Sequence, residues 1–371
     1  MNEYLAKIQE LKSLSLSKIK QKVDEIRDEL DRKINKIITY SKNFTVSLSN
    51  YCRNKCAYCF YNHHIQKEDQ IGNTILISNS NIDSLINRAK KFNCKEALLI
   101  SGESPDSYKI VKNELIERGF DSYLHFLLNL CENLLDLNIL PHTNVGLITF
   151  DDMKALKSLN ASMGLMLEST CKKLSMKGGV HEFSPGKLPE KRIEFIENAG
   201  KLKIPFTTGI LLGIGENEFD RINDLILINK LHKKYGHIQE VILQNFIAKP
   251  SIQYHPKKTI SIKDVLKTIG YAKIIMGNEI GIQIPPNLLK GYEKKAISMG
   301  IDDFGGISPI TLDYINPDHP WPMIEYLKKI CKKEGYELKE RLPIYDKYIK
   351  KDGFCSKKVR ETINKIKQND V

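Results

Sequence analysis

The sequence predicts an α/β protein built on a partial or closed parallel (β/α) barrel, preceded by a helical extension. Short apolar, β-rich runs recur along the chain, and amphipathic segments separate most of them. No Gly-, Ser- or Pro-rich linker divides the 371 residues, which are 41% hydrophobic and long enough to bury a large core. Strand then helix, repeated about six times without an obvious switch point, favours a closed or partly closed sheet over a doubly wound one.

Residues 1–40 read as helices outside the barrel, because their charges run throughout "MNEYLAKIQELKSLSLSKIKQKVDEIRDELDRKINK". Strands are expected at 43–49 (NFTVSLS), 96–101 (EALLIS), 140–148 (LPHTNVGLI), 161–168 (ASMGLMLE), 205–213 (PFTTGILLG) and 238–246 (IQEVILQNF). Between them lie amphipathic stretches such as NIDSLINRAKKF, YLHFLLNLCENLLDL, DDMKALKSL, EKRIEFIENAGKL and NDLILINKLHKKY. After residue 260 the pattern loosens into helices and a Gly/Pro-rich loop at 302–322. The barrel is therefore assigned to 41–325 and a helical tail packed on it to 326–371.

The net charge of +12 raises the question of nucleic acid, but the lysines are spread along amphipathic segments, mixed with acids, and form no stripe alternating with aromatics. No partner of that kind is expected. The charged start is unlike a secretory signal and no window approaches about eighteen apolar residues, so a cytoplasmic protein without a membrane span is expected. In that compartment clustered thiols are metal ligands or catalysts rather than disulfides.

Such a cluster is present: Cys52, Cys56 and Cys59 fall within eight residues of a chain with eight cysteines, the other five being scattered singly. They follow the first strand, and active sites of parallel barrels gather at the carboxyl ends of the strands. The other strand ends carry Ser101, Gly102 and Glu103; His142, Thr143 and Asn144; Glu168; Gly213; and Gln244, Asn245 and Lys249. A zinc site completed by His63 or His64 is one reading of the thiols, within a basic binding protein. Three corners of a cubane iron-sulfur cluster, leaving one iron open, is the reading favoured by the Cys-x3-Cys-x2-Cys spacing. His63, His64, His232 and His237 all sit in polar contexts and read as surface or supporting residues.

Cys-x3-Cys-x-aromatic-Cys after a first strand, with Tyr58 at the aromatic position, resembles the radical S-adenosylmethionine (SAM) superfamily. The resemblance implies one 4Fe-4S cluster held by Cys52, Cys56, Cys59 and SAM, and hydrogen abstraction by the radical that SAM cleavage yields. It further implies that Ser101, Gly102 and Glu103, similar to a Gly-Gly-Glu stretch with Ser in the first place, meet the methionine end of SAM. Glu168 would meet its ribose unless it is a salt-bridge partner, and the glycine-bearing strand with Gly209 and Gly213 would meet the adenine, with Tyr58 stacking nearby.

Further along, "LPHTNVGLITFDDMKALKSLNASMGLMLEST", "IPFTTGILLGIGE", "YGHIQEVILQNFIAKP" and "DDFGGISPITLDYINPDHPWP" resemble the ring-forming radical SAM subunits of deazaflavin synthases over roughly 43–325. "AYCFYNHH" departs from that family, which more often has glycine after the second cysteine. The resemblance implies a lyase that closes a hydroxybenzyl-dihydrouracil precursor to a deazaflavin with loss of ammonia. Its implied partners are a sister coupling subunit and an electron donor such as ferredoxin or flavodoxin. Candidates for substrate contacts are His142, Thr143, Asn144, Gln244, Asn245 and Lys249, with Asp303 and Tyr314 in the late loop. Another enzyme of the same branch, such as the coupling subunit or a menaquinone-pathway or biotin-synthase-like relative, would share the cysteines but not the substrate.

Overall fold

A computed structural model describes residues 2–31, 36–64 and 74–369. Eight parallel strands close a barrel: β1 (Ile37–Ser47), β2 (Glu96–Ile100), β3 (Leu140–Asn144), β4 (Ser162–Gly164), β5 (Phe206–Leu212), β6 (Ile238–Asn245), β7 (Gly281–Gln283) and β8 (Asp303–Ile307). Closure is made by β1, which pairs with β8 along one edge and with β2 along the other through Asn43–Ser47. Below β2 on that second edge lies a ninth parallel strand, β9 (Glu337–Arg341), paired with Ile37–Ser41.

Six of these strands lie where apolar runs predict them, although β1 starts six residues earlier than expected and β3 and β4 are shorter. Strands β7 and β8 are additions. Residues 303–307, expected as part of a loop, form β8, and Asp303 is fully buried there. The tail expected to be helical also carries β9. The first hides because "DFGGI" offers two glycines where strand formers are expected, the second because "ELKER" is charged at an edge. His232 and His237, read as surface or supporting residues, are buried, and His237 Nε2 bonds to the Ile196 carbonyl oxygen at 2.9 Å.

Period-two alternation turns Asn43, Thr45, Glu96, Leu98, Ile100, His142, Asn144, Thr207, Glu240, Ile242 and Gln244 into the lumen. This interior is largely polar, unlike the branched apolar layers that fill most parallel barrels. The apolar core lies instead between the sheet and its surrounding helices, where Phe44, Val46, Leu99, Phe206, Val241 and Leu243 are buried. At the bottom, Arg341 enters from β9 and pairs with Asp303 at 2.6 Å and Glu240 at 2.7 Å. Ser162 Oγ and Gln239 Nε2 both donate to the Pro343 carbonyl oxygen, so the segment after β9 plugs the floor.

The N-terminal helices pack on the barrel's outer helices. Helix Leu16–Asp31 lies on Ile262–Met276, where a Cβ on Gly270 would stand 2.2 Å from Ile19 Cγ2. Buried Arg27 donates to the carbonyl oxygens of Ile297 and Ile301 and, at 2.9 Å, to the Tyr336 hydroxyl. Arg27→Ala removes a donor from the Ile301 carbonyl and leaves that of Ile297 with the Gly300 N–H, so we expect a loss of about 2 kcal/mol in urea unfolding. Unchanged stability would show that the N-terminal helices do not brace the barrel.

Candidate functional site

The cysteine loop leaves β1 at the carboxyl end of the barrel and is fixed by its own backbone. Arg53 N–H donates to the Glu103 carbonyl (3.0 Å), Lys55 N–H to that of Phe183 (3.0 Å) and Ala57 N–H to that of Val180 (2.9 Å). Asn54 accepts from Gly186 N–H at 2.8 Å through its side chain. The loop is thus tied to the turns that follow β2 and β4 before any ligand is considered. Gly102 has no side chain because a Cβ there would meet the Tyr51 carbonyl oxygen at 2.1 Å.

All three thiols line one cavity of about 340 Å³, a size typical of small-molecule sites. Tyr58, Ser101, Gly102, Glu103, Asn144, Glu168, Gln244, Asn245 and Lys249 share its wall. Most of the residues singled out in the sequence therefore meet in one place. A second, smaller space of about 180 Å³ continues it down the lumen; Asn144, Gln244 and Asn316 border both, and His142 and Tyr314 border the lower one.

Other candidates lie elsewhere. Thr143 turns outward and donates to Asn160 Oδ1 at 2.7 Å. Asp303 is taken up by Arg341, by the Gly305 N–H at 2.5 Å and by Thr39. Gly209 and Gly213 border neither space; the amides of Gly213 and Ile214 are given to Glu216 at 2.8 and 2.9 Å. His63 stacks on Tyr51 with centroids 4.2 Å apart and contacts His64 and Tyr108, and it does not line the thiol cavity. Burial, then the neighbouring His64, pushes its pKa down to about 4.

The thiols suit a cationic cluster. Burial, reinforced by Cys56 and Cys52, pushes Cys59 up to about 12, and burial also raises Cys52, whose sulfur accepts the Glu103 N–H at 3.1 Å. Left alone these groups stay protonated; bound iron supplies the positive charge that makes them thiolates. Among the described residues no three His, Cys, Asp or Glu side chains are arranged to share a single metal ion. A cubane cluster has no such requirement, since its thiolates bind separate irons.

Several functional-looking residues escaped the sequence. Glu103 accepts Arg53 Nε at 2.7 Å and Leu147 N–H at 3.0 Å, with Arg192 at 4.0 Å. Glu168 adopts a left-handed φ of 65° and pairs with Lys187 at 2.5 Å; Tyr58 meets His181 Nε2 at 3.0 Å. Arg53, Lys187, His181 and Arg192 were invisible because their partners are brought together only by the closed barrel, although Lys187 and Arg192 stand in a basic stretch, "GKLPEKR", after the fourth run.

Burial acts to raise both carboxylates, but around Glu103 the Leu147 N–H, Arg192 and Arg53, and around Glu168 Lys187 and Arg192, outweigh it and hold both below the ordinary 4.5. A lowered folded-state value gives stability that is complete above 4.5 and is lost as pH falls through the lowered value. Glu168→Gln should therefore destabilise the protein at pH 7 and flatten the fall in stability below pH 4.5. Parallel stability curves for variant and parent would contradict the ion pair.

Residues 46–228 match the radical SAM superfamily. The 7,8-didemethyl-8-hydroxy-5-deazariboflavin synthase of Methanococcus maripaludis strain C5 is 44% identical over 96% of this chain and 97% of its own. The synthase of the same name from Methanocaldococcus jannaschii is 44% identical over 94% of each chain, and that of Methanopyrus kandleri 40% over 90% and 99%. Among solved structures, the FeFe-hydrogenase maturase HydG superposes with a TM-score of 0.68 over 92% of this chain and 80% of its own at 14% identity. Methylornithine synthase gives 0.67 over 90% and 93% at 16%. These two establish the fold alone. Taken with the cavity that gathers the three thiols, the chain belongs to the 7,8-didemethyl-8-hydroxy-5-deazariboflavin synthase family of the radical SAM superfamily.

Proposed function

We propose that this chain is a radical SAM lyase that closes the tricyclic ring of 7,8-didemethyl-8-hydroxy-5-deazariboflavin. Its substrate is 5-amino-5-(4-hydroxybenzyl)-6-(D-ribitylimino)-5,6-dihydrouracil, and ammonia leaves. The observation that carries the reading is the continuity of the thiol-lined cavity with a polar chamber inside the barrel. Bound there, a 4Fe-4S cluster with SAM supplies a 5'-deoxyadenosyl radical.

The chain's own residues hold and enclose. Cys52, Cys56 and Cys59 are assigned as cluster ligands. Ser101, Gly102 and Glu103 border the cavity beside Cys52 and are assigned to the methionine end of SAM, with Glu168, competing with Lys187, for its ribose. Tyr58, packed edge-on against Phe246 with centroids 6.1 Å apart, is assigned to the adenine side; Gly209 and Gly213, which border neither space, take no part in this assignment. Asn144, Gln244, Asn245, Lys249 and Tyr314 are assigned to the substrate. Lys249 is buried, donates to Asn316 Oδ1 at 2.8 Å, and has its pKa lowered by burial, so it offers a proton donor beside the loop. His142, whose pKa burial pushes down to about 3, is a neutral hydrogen-bonding group that meets Ser162 Oγ through Nδ1 at 2.6 Å. A cytoplasmic setting, a ferredoxin or flavodoxin donor and supply of the precursor by a sister coupling subunit complete the reading.

Anaerobic protein given iron and sulfide, then SAM, reductant and precursor, should yield 5'-deoxyadenosine and deazaflavin fluorescence together. 5'-Deoxyadenosine without deazaflavin would discard this substrate. Alanine at Cys52, Cys56 or Cys59 should abolish SAM cleavage, and alanine at Cys94 or Cys355 should not. 5'-Deoxyadenosine from Cys56→Ala protein would overturn the ligand assignment.

A further inference from the structure

The lower chamber is bordered by Asn43, Glu96, Thr207, Glu240, Gln283 and Arg341 among others, and holds about 180 Å³, or about six water volumes at ~30 Å³ each. It carries unpartnered groups of both kinds: among the described residues, the acceptor Asn43 Oδ1 and the donor Trp321 Nε1 have no hydrogen-bond partner. Asn43 is 3% exposed. The amide is held over Gly306, where a Cβ would stand 2.1 Å from Nδ2. Glu96 receives a bond from Ser41, and Glu240 receives Thr207 Oγ1 at 2.7 Å and Arg341 at 2.7 Å. Arg341, the cation at this level, spends its donors on Asp303, Glu240 and the Leu342 carbonyl. The chamber thus offers a ligand an acceptor in Asn43 Oδ1 and a donor in Trp321 Nε1, and each such unpaired buried group costs on the order of 1–3 kcal/mol unless a partner arrives.

Charge narrows the ligand further. One guanidinium faces the carboxyl groups of Glu96, Glu240 and Asp303. Burial, only partly offset by Arg341, pushes Glu240 up to about 7 and raises Glu96 as well. A site so short of positive charge disfavours a phosphate or carboxylate. Hydroxyl groups, each a donor that also accepts, fit it.

We infer that the barrel floor is a subsite for a neutral polyhydroxylated chain, gripped by Asn43, Glu96 and Glu240. The ribityl arm of the substrate then points down the lumen and its hydroxybenzyl arm up toward the cysteine loop. This rests on the substrate proposed above and adds the orientation and the residues that select the chain.

The test measures binding rather than turnover, by fluorescence of 7,8-didemethyl-8-hydroxy-5-deazariboflavin with the cluster-loaded protein in the absence of reductant. Two further probes are its analogue with a methyl group in place of the ribityl chain and its terminal phosphate ester. The ribityl compound should bind about tenfold or more tighter than either. Asn43→Ala and Glu96→Gln should each shrink the ribityl-over-methyl preference to about threefold or less while leaving the methyl compound's affinity unchanged, which also shows that the variants fold. Preference kept in both variants, or a phosphate ester that binds as tightly, overturns the subsite while the proposed reaction stands. Failure of the parent protein to bind any deazaflavin overturns the substrate reading and the subsite together.

Discussion

One buried carboxylate holds the carboxyl end of this barrel together. Glu103, at the end of β2, reaches the cysteine loop through Arg53, the turn after β3 through Leu147 N–H, and the turn after β4 through Arg192. Its bulk also fills the space of two missing side chains: a Cβ on Gly146 would stand 2.6 Å from Glu103 Cβ, and one on Gly186 1.8 Å from Oε1. A charge so deeply buried is tolerated only because several donors surround it. The same side chain thus orders three loops at once, and the main chain of its own residue donates to the Cys52 sulfur. Three thiols on a short loop suit one cluster only if that loop is held from below, and Glu103 holds it.

The lumen obeys a different rule. Most parallel barrels fill their interior with branched apolar side chains, whereas here alternate positions of β1, β2, β3, β5 and β6 place amide, carboxyl, imidazole and hydroxyl groups inside. A polar interior needs a closed floor if water is not to run through it. The tail provides one: Arg341 joins Glu240, Asp303 and Tyr345 across the bottom, and Pro343 receives two further donors. Radical chemistry above that floor is shielded from bulk solvent by a segment far along the chain from the cysteines.

Much of this was legible in the sequence. Apolar runs separated by amphipathic segments marked six strands, and the cysteine spacing marked the loop, because both are local patterns. Strands β7 and β8 were hidden by brevity and by glycine, and β9 by its charges. The polar lumen leaves only a faint trace: Glu96, His142 and Glu240 each place a polar side chain in a strand-forming run. Arg53 left none, and the basic stretch holding Lys187 and Arg192 did not say what they pair with, since an ion pair made across loops is a property of closure and not of spacing. Asp303 misled for the converse reason: a carboxylate in a Gly-rich stretch looks free to meet a ligand, and Arg341 from β9 consumes it.

We propose that Cys52, Cys56 and Cys59 hold a four-iron cluster with one iron left for SAM. The most direct measurement is the electron paramagnetic resonance spectrum of the iron-reconstituted, reduced protein before and after SAM is added. About four irons per chain, a signal from the reduced cluster, and a clear change in that signal on addition of SAM are expected. A signal indifferent to SAM, or a colourless protein holding a single zinc ion, would contradict it.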